Sequence, residues 1–550
     1  MSDVRYLADK HGKFTLAEVK TSLVTLQDTR DLMVRRKGFS NWIRVEDVAE
    51  LRTQIVVPPS LPISHPDAPK AIPKRMRVGI LSCQLSVAAN NSKYTKFELT
   101  HHLGRHLDHL LQFSFLFFIF LSFAAVNGFP LYHWDSVGYI ANPLHYDDFR
   151  SVIPALVSYP ISLVVNLWAL PVINSCVLAL VFVRFFSALK MQFSYIIALF
   201  VSLTTSIPLF TGYIMPDIWG LILLICLIML LVRWSLLDFI FASVSAMGHG
   251  SGILITLALM PLAWVACSFR KNVIIIFSGV LIISFFGLAG CNKLLRGRYF
   301  PDTYAWSIVA SKMLNDVPSA LVSLCRDEES DQICIRRDLI EPGPKWDDFY
   351  IWSSRIGIMN QSTGGLTLSQ MNDSGRKLFW YAVFEHPVTL LKETLLDLVT
   401  FYAPSNWIFE GYTNLELRPK QNNTIFEQDE GRFVRNGLLE TTWFRFSSYF
   451  LNTATMISLI LLGIFAFPNM PSFHKRAFVM LLLGILANDF VFAFLSAPAA
   501  RYHLRMLGVF VPIALMIYTS WRPASRTNKT AVRIRLARDL RTKIHGTAPD

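Results

Sequence analysis

Four short segments carry ionisable groups at the edges of apolar runs, where a charge is costly and each one becomes a candidate for function. The first is His133-Trp134-Asp135, followed by Tyr139 and by Asp147-Asp148-Arg150. The second is the Met215-Pro216-Asp217 turn, and the third is His249 within Gly248-His249-Gly250-Ser251-Gly252. The fourth is Ala499-Ala500-Arg501-Tyr502-His503-Leu504-Arg505. Asp135 has the chemistry of a general base or metal carboxylate. Asp217 brought near it would complete a pair able to hold a divalent cation, Mg or Mn, or to take a proton from a hydroxyl. Asp217 is equally suited to capping a helix that opens at Ile218-Trp219. The planar guanidinium of Arg501 suits a phosphate, while Arg505 has the alternative of snorkelling from a helix start. His249 is balanced between polarising a phosphate and bonding a neighbouring helix. Trp134 and Tyr139 also fit an interfacial aromatic belt, and Asn488 and Asp489 fit hydrogen bonds between helices.

The elements that must position these groups are membrane helices. A bilayer core of roughly 30 Å needs about 20 apolar residues, and Leu110–Phe129, Leu167–Leu189 and Val273–Gly290 have that length. Further spans are predicted at Phe193–Phe210, Ile218–Val232, Ile253–Phe269, Tyr449–Phe467, Ala477–Leu495 and Met506–Tyr518, several of them short. The Leu237–Met247 segment is too short to cross alone, and it runs into the glycine-rich stretch around His249, so it reads as half of a broken helix. Composition agrees: 53% of residues are hydrophobic and 17% charged, against about 25% charged in soluble domains. The net charge of +13 sits mainly beside the spans, where topology and anionic lipid explain it without nucleic acid.

Lys and Arg in short loops assign orientation. Arg105, Arg184, Lys190, Arg233, Arg270, Lys271, Lys475, Arg476 and Arg522 fall on one side, the expected cytoplasmic one, together with both termini. The expected fold is an all-α polytopic bundle of about ten helices in a bacterial inner membrane, with one large, mostly helical periplasmic domain. Residues 1–57 form a cytoplasmic element and 58–105 a Pro-rich linker with a basic juxtamembrane segment. The bundle occupies 106–290, with a first external loop at 129–166 in which Ser151–Val165 reads as an interfacial helix. Residues 291–448 form the external domain, 449–521 the closing helices, and 522–550 a basic tail suited to anionic lipid. No cleavable signal precedes Leu110, so insertion is expected to begin at the first span. Cys325 and Cys334 lie in the external loop, where an oxidising compartment would let them close a disulfide. Pro387–Tyr402 spaces Leu390, Leu391, Leu395, Leu398 and Val399 as an amphipathic helix against membrane or bundle.

The assembled pattern resembles the GT-C superfamily of membrane glycosyltransferases over roughly Arg105–Trp521. The resemblance is carried by Trp134-Asp135 in the first external loop, interfacial helix material after it, Asp217 at the next external turn, one large late external domain, and Arg501-Tyr502. It implies transfer of a sugar from a polyprenyl-phosphate carrier to a glycan, lipid or protein acceptor on the external side. In that reading Asp135 is the base or metal carboxylate, and Asp217 assists it. His133, Trp134, Tyr139, His249, Arg501, Tyr502 and Arg505 surround the substrate. Many relatives have adjacent acids in the first loop, whereas here Asp135 precedes Ser136. A transporter or flippase of a lipid-linked or anionic substrate is the competing class, since it would also use broken helices and buried charges.

Overall fold

The computed structural model describes residues 5–8, 13–15, 33–36, 43–44, 92–128, 130–131, 136, 139, 151–268, 270–297, 305–340, 350, 365–403, 442–496 and 499–521. The chain divides into two units, Met1–Ala89 and Asn90–Asp550. In the first, β1 (Arg5–Ala8), β2 (Lys13–Thr15), β3 (Met33–Arg36) and β4 (Ile43–Arg44) form an antiparallel sheet in the order β2-β1-β3-β4. The all-α expectation concerns the membrane bundle, which lies in the second unit. The Pro-rich linker and the tail at 522–550 lie outside the described residues.

The second unit is mostly helical in its described residues. Among them, six helices are long and apolar enough to cross a membrane: His106–Asn127, Ala169–Ala188, Lys271–Leu295, Tyr449–Asn469, Ser472–Leu495 and Arg501–Trp521. In chain order the elements are α1 (Ser92–Asn127), α2 (Val152–Val165), α3 (Ala169–Ala188), α4 (Tyr195–Leu203) and α5 (Ile207–Gly212). They continue with α6 (Trp219–Val232), α7 (Leu236–Gly248), α8 (Ser251–Ala266) and α9 (Lys271–Arg296).

Helix α6 is the axis of the bundle. Its sequence is apolar on every face, which suits burial within a bundle as well as contact with lipid, and here Trp219 to Leu230 are all buried. Helices α3, α7, α8 and α9 pack around it. At 1.5 Å per residue its 14 residues reach only about 21 Å, short of a roughly 30 Å hydrocarbon core. The Asp217 turn stands at the N-terminal end of α6.

The expected Phe193–Phe210 span is instead two helices, α4 and α5. Between them the Thr204 hydroxyl donates to the Phe200 carbonyl at 2.9 Å, that of Thr205 donates to Ser202, and Pro208 opens the next helix. Asn452 fills the break by donating to Ser206 Oγ at 2.9 Å. The expected break around His249 is present: α7 ends at Gly248, His249 is extended, and α8 starts at Ser251. A Cβ on Gly248 would lie 1.9 Å from Trp219 Cε3, so the close approach of this break to α6 needs glycine.

Helices α10 (Ala305–Asp316), α11 (Pro318–Asp327), α12 (Gln332–Ile335), α13 (Leu368–Glu385) and α14 (Pro387–Thr400) enclose a second hydrophobic core around Met313, Leu324, Met371 and Leu378. The α10–α11 pair bends by 108° and belongs to this core, which separates it from the membrane-crossing set. Cys325 and Cys334 form a disulfide across nine positions. Asp331 caps α12 through the Ile333 N–H, and also accepts from Ser374 Oγ and Lys377 Nζ. Burial works to raise the Asp331 carboxyl, but these donors outweigh it and hold the group below the ordinary carboxylate range. A depressed native value contributes stability above the unfolded Asp pKa of about 3.9 and loses it as the pH falls through the native value. Acid unfolding of this domain, followed by hydrogen exchange, should accordingly become less steep below about pH 4 in Asp331→Asn.

The closing helices are α15 (Thr442–Ala466), α16 (Ser472–Leu495), α17 (Ala500–Leu504) and α18 (Phe510–Trp521). The 305–403 domain rests on α16 through α14, with Phe494 and Leu495 packed into its core. Ring contacts run unbroken from Phe490 to Phe494, Phe379, Trp380 and Phe384. Helix α14 starts at Pro387 as expected, yet it buries Leu390, Thr394 and Asp397 and leaves Leu391, Leu395 and Val399 exposed. The inward face is fixed by Asp397 pairing with the buried Lys312 rather than by the leucine stripe.

Candidate functional site

The loop between α5 and α6 holds Asp217, and three features fix it. Leu131 bridges Tyr213, with its N–H donating to Gly212 O at 2.9 Å and its carbonyl accepting from Ile214 at 3.0 Å. Asn174, buried on α3, donates from Nδ2 to the Met215 carbonyl at 2.9 Å. The Asn174 amide oxygen accepts from Trp219 Nε1 at 2.8 Å. An asparagine in the middle of an apolar span signals a function in the bundle, and that signal in the sequence was missed.

Asp217 does not cap α6. The capping position is Ile218, no side chain caps it, and the Asp217 carboxylate is turned toward α17 and the α7–α8 break instead. There Arg505 lies 1% exposed, so it does not snorkel. Its Nη1 donates to Asp217 Oδ1 at 3.3 Å, and its Nη2 donates to Ser251 Oγ at 3.2 Å and to Asn488 Oδ1 at 2.9 Å. The guanidinium lies 4.8 Å from the Phe492 ring centroid, and Phe492 stacks on Tyr502 at 3.8 Å. A buried charge is tolerated only when it is paired and bonded, and this one is both.

His249 closes the arrangement. The Ser251 backbone N–H, which can only donate, points at His249 Nδ1 from 3.3 Å, and Ser251 Oγ lies 2.7 Å from the same atom. Nδ1 is therefore the acceptor, and the neutral ring carries its proton on Nε2, 3.6 Å from Asp217 Oδ1. The result is a cycle: Arg505 to Ser251, Ser251 to His249, His249 facing Asp217, and Asp217 back to Arg505. Asn488 links the cycle to a second cluster. Its Nδ2 donates to Asp489 Oδ1 at 3.0 Å and to the Tyr502 carbonyl at 2.7 Å. Asp489 Oδ2 lies 2.8 Å from His503 Nδ1 and accepts from the Tyr402 hydroxyl at 3.0 Å. Tyr402 follows α14, so the 305–403 domain contributes directly to this cluster. His503 lies within the Ala499–Arg505 segment without a role of its own in the sequence, and Tyr402 did not stand out, because nothing local marks a loop tyrosine as reaching another helix.

Arg501 differs from Arg505. It is half-buried, its Nη2 donates to the Tyr502 hydroxyl at 2.7 Å, and its guanidinium lies over the Tyr502 ring at 4.7 Å. Of the two arginines it is the more exposed. Tyr139 is buried, and its carbonyl accepts from Ser158 on α2. Ser151 Oγ, at the start of α2, donates to the Met247 carbonyl beside the His249 break. His133, Trp134, Asp135, Asp147, Asp148 and Arg150 lie outside the described residues.

As a metal centre the described part of the site is a poor match. Asp217 is the one expected ligand among the described residues, and it faces the Arg505 guanidinium, which already supplies a positive charge, and the Nε2 of His249. Among the described residues no group of three or more His, Cys, Asp or Glu side chains is arranged to hold an ion. What the arrangement offers is a largely buried polar cluster, Asp217-Arg505-His249, with the half-buried Arg501 guanidinium over the adjoining Tyr502 ring. Comparison with protein-family models, with curated proteins and with solved structures returns no match.

Proposed function

We propose that this chain is a membrane transferase that moves a sugar from a polyprenyl-phosphate donor to a hydroxyl acceptor at the end of the bundle that carries Asp217 and Arg501. The observation that carries the reading is the convergence of Asp217, His249, Arg501 and Arg505, from three separate parts of the chain, on one polar cluster against a helical domain. Two arginines next to the apolar layer suit an anionic phosphate whose tail stays in lipid. In the proposed reaction the bond between the sugar anomeric carbon and the phosphate oxygen breaks, and the phosphate keeps the electron pair. The acceptor oxygen attacks that carbon and gives its proton to Asp135. Arg501 binds the phosphate as its charge grows, while Arg505, pinned by Asp217, Ser251 and Asn488, holds the floor beneath it in a fixed orientation. The site would face the external side, where the distribution of Lys and Arg puts the 305–403 domain.

Purified protein given radiolabelled polyprenyl-phosphate sugar and a membrane acceptor fraction is expected to transfer label. Arg501→Ala should lower the rate by roughly 10²–10³-fold, the usual effect of removing one donor to developing charge. Asp135→Asn should lower it by roughly 10²–10⁴-fold. Undiminished transfer in both well-folded variants would end the proposal. The broken α7–α8 pair also suits a transporter. Movement of labelled lipid across proteoliposomes, without sugar transfer and indifferent to Asp135→Asn, would select that class.

A further inference from the structure

A cavity of about 220 Å³ opens at the other end of the bundle, where α6 finishes and α9 and α16 begin. Its walls are Leu230, Val273, Ile276 and Met480, with Arg270 and Arg476 at its polar side. No acidic residue lines it, and neither arginine has an ion-pair partner among the described residues. Orientation rules account for arginines at this end of a membrane protein. They do not account for two of them, Arg270 just before α9 and Arg476 in the first turns of α16, lining one concavity with no acidic residue in its wall, because like charges brought together repel. The volume is below the roughly 300–1,000 Å³ that encloses a whole small ligand, so the occupant places only part of itself inside. Beside the cavity Ile274 and Ile275 are exposed apolar residues on α9, continuous with the surface that a membrane-spanning helix gives to lipid.

The geometry points to a site for a phosphate group carried by an anionic lipid, with the headgroup held by Arg270 and Arg476 and the chains lying along α9. Guanidinium forks match phosphate oxygens, and the apolar wall accepts the first carbons beyond them. This site is separate from the transferase reading and stands or falls without it. The same phosphate chemistry could come from a soluble anion, and the test distinguishes the two sources.

Full-length protein stripped of lipid in a neutral detergent would be titrated with phosphatidylglycerol or phosphatidylcholine and the retained lipid counted by native mass spectrometry. Retention of phosphatidylglycerol over phosphatidylcholine is expected. It should weaken about fivefold for Arg270→Gln or Arg476→Gln, and by about 25-fold in the double variant, at the usual worth of one basic residue near an anionic headgroup. Arg270→Lys/Arg476→Lys should keep most of the preference, which separates lost charge from lost folding. Lys190→Asn removes an exposed positive charge that does not line the cavity, and it should change nothing. Competition by millimolar inorganic phosphate would uphold the site with a soluble anion as its ligand. Equal retention of both lipids, or an equal loss in Lys190→Asn, would overturn it.

Discussion

Replacing Arg505 with Met should destabilise the transmembrane unit by about 3–5 kcal/mol, the usual cost of removing one member of a buried ion pair. The loss arises mainly in what is left behind. Asp217 would keep a carboxylate 3% exposed with its guanidinium gone, and Asn488 and Ser251 would each lose the donor they now share. Thermal unfolding in nanodiscs would measure it. Arg505→Met/Asp217→Leu should recover much of the stability, because a pair of apolar side chains carries no orphaned charge. Arg505→Lys should fall between, since one ammonium cannot reproduce the fork that spans Asp217, Ser251 and Asn488. An Arg505→Met protein as stable as the parent would mean the buried cycle is not formed. Sugar transfer should be lost in both Met variants, which separates the role of Arg505 in the reaction from its role in folding.

The second large effect is expected in the 305–403 domain. Lys312 is 3% exposed and lies between Asp316, at 2.5 Å, and Asp397 of α14. Lys312→Met keeps the length of the side chain and strands two buried carboxylates, at a cost of about 3–5 kcal/mol. Hydrogen exchange should show the loss confined to 305–403, with α6 and α16 still protected. Lys312→Met/Asp316→Leu/Asp397→Leu should regain much of it. Unchanged protection in the single variant would refute this pairing.

Much of the bundle was legible because long apolar runs have one physical outcome in a bilayer. Leu110–Phe129, Leu167–Leu189 and Val273–Gly290 correspond to α1, α3 and α9, and the glycines around His249 marked a true break. The Phe193–Phe210 run misled because hydropathy averages over Thr204, Thr205 and Ser206: the two threonine hydroxyls turn back onto the preceding helix, and Ser206 Oγ accepts from Asn452. Helix α14 was legible as amphipathic from its leucine spacing, but which face turned inward was not, since that is set by one pairing across the domain, Lys312 with Asp397. In the site, Asp217, His249, Arg501 and Arg505 stood out as charges in apolar surroundings. Their division of labour did not, since Arg501 and Arg505 are four residues apart and only packing makes one a hub and the other a rim. Tyr402 and His503 could be found only once α14 and α17 were side by side.

The run of rings from Phe490 to Phe384 bears on how the protein can be handled. A fragment cut at 305 and 403 would lose Phe494 and Leu495 from its core and would still carry Trp380, Phe384, Val388, Leu391, Leu395 and Val399 on its outside. Such a fragment has too little polar surface on that side to remain dispersed in water. The domain is thus tied to the helices it rests on by solubility as well as by sequence, because α16 supplies part of its core and its outer face is apolar.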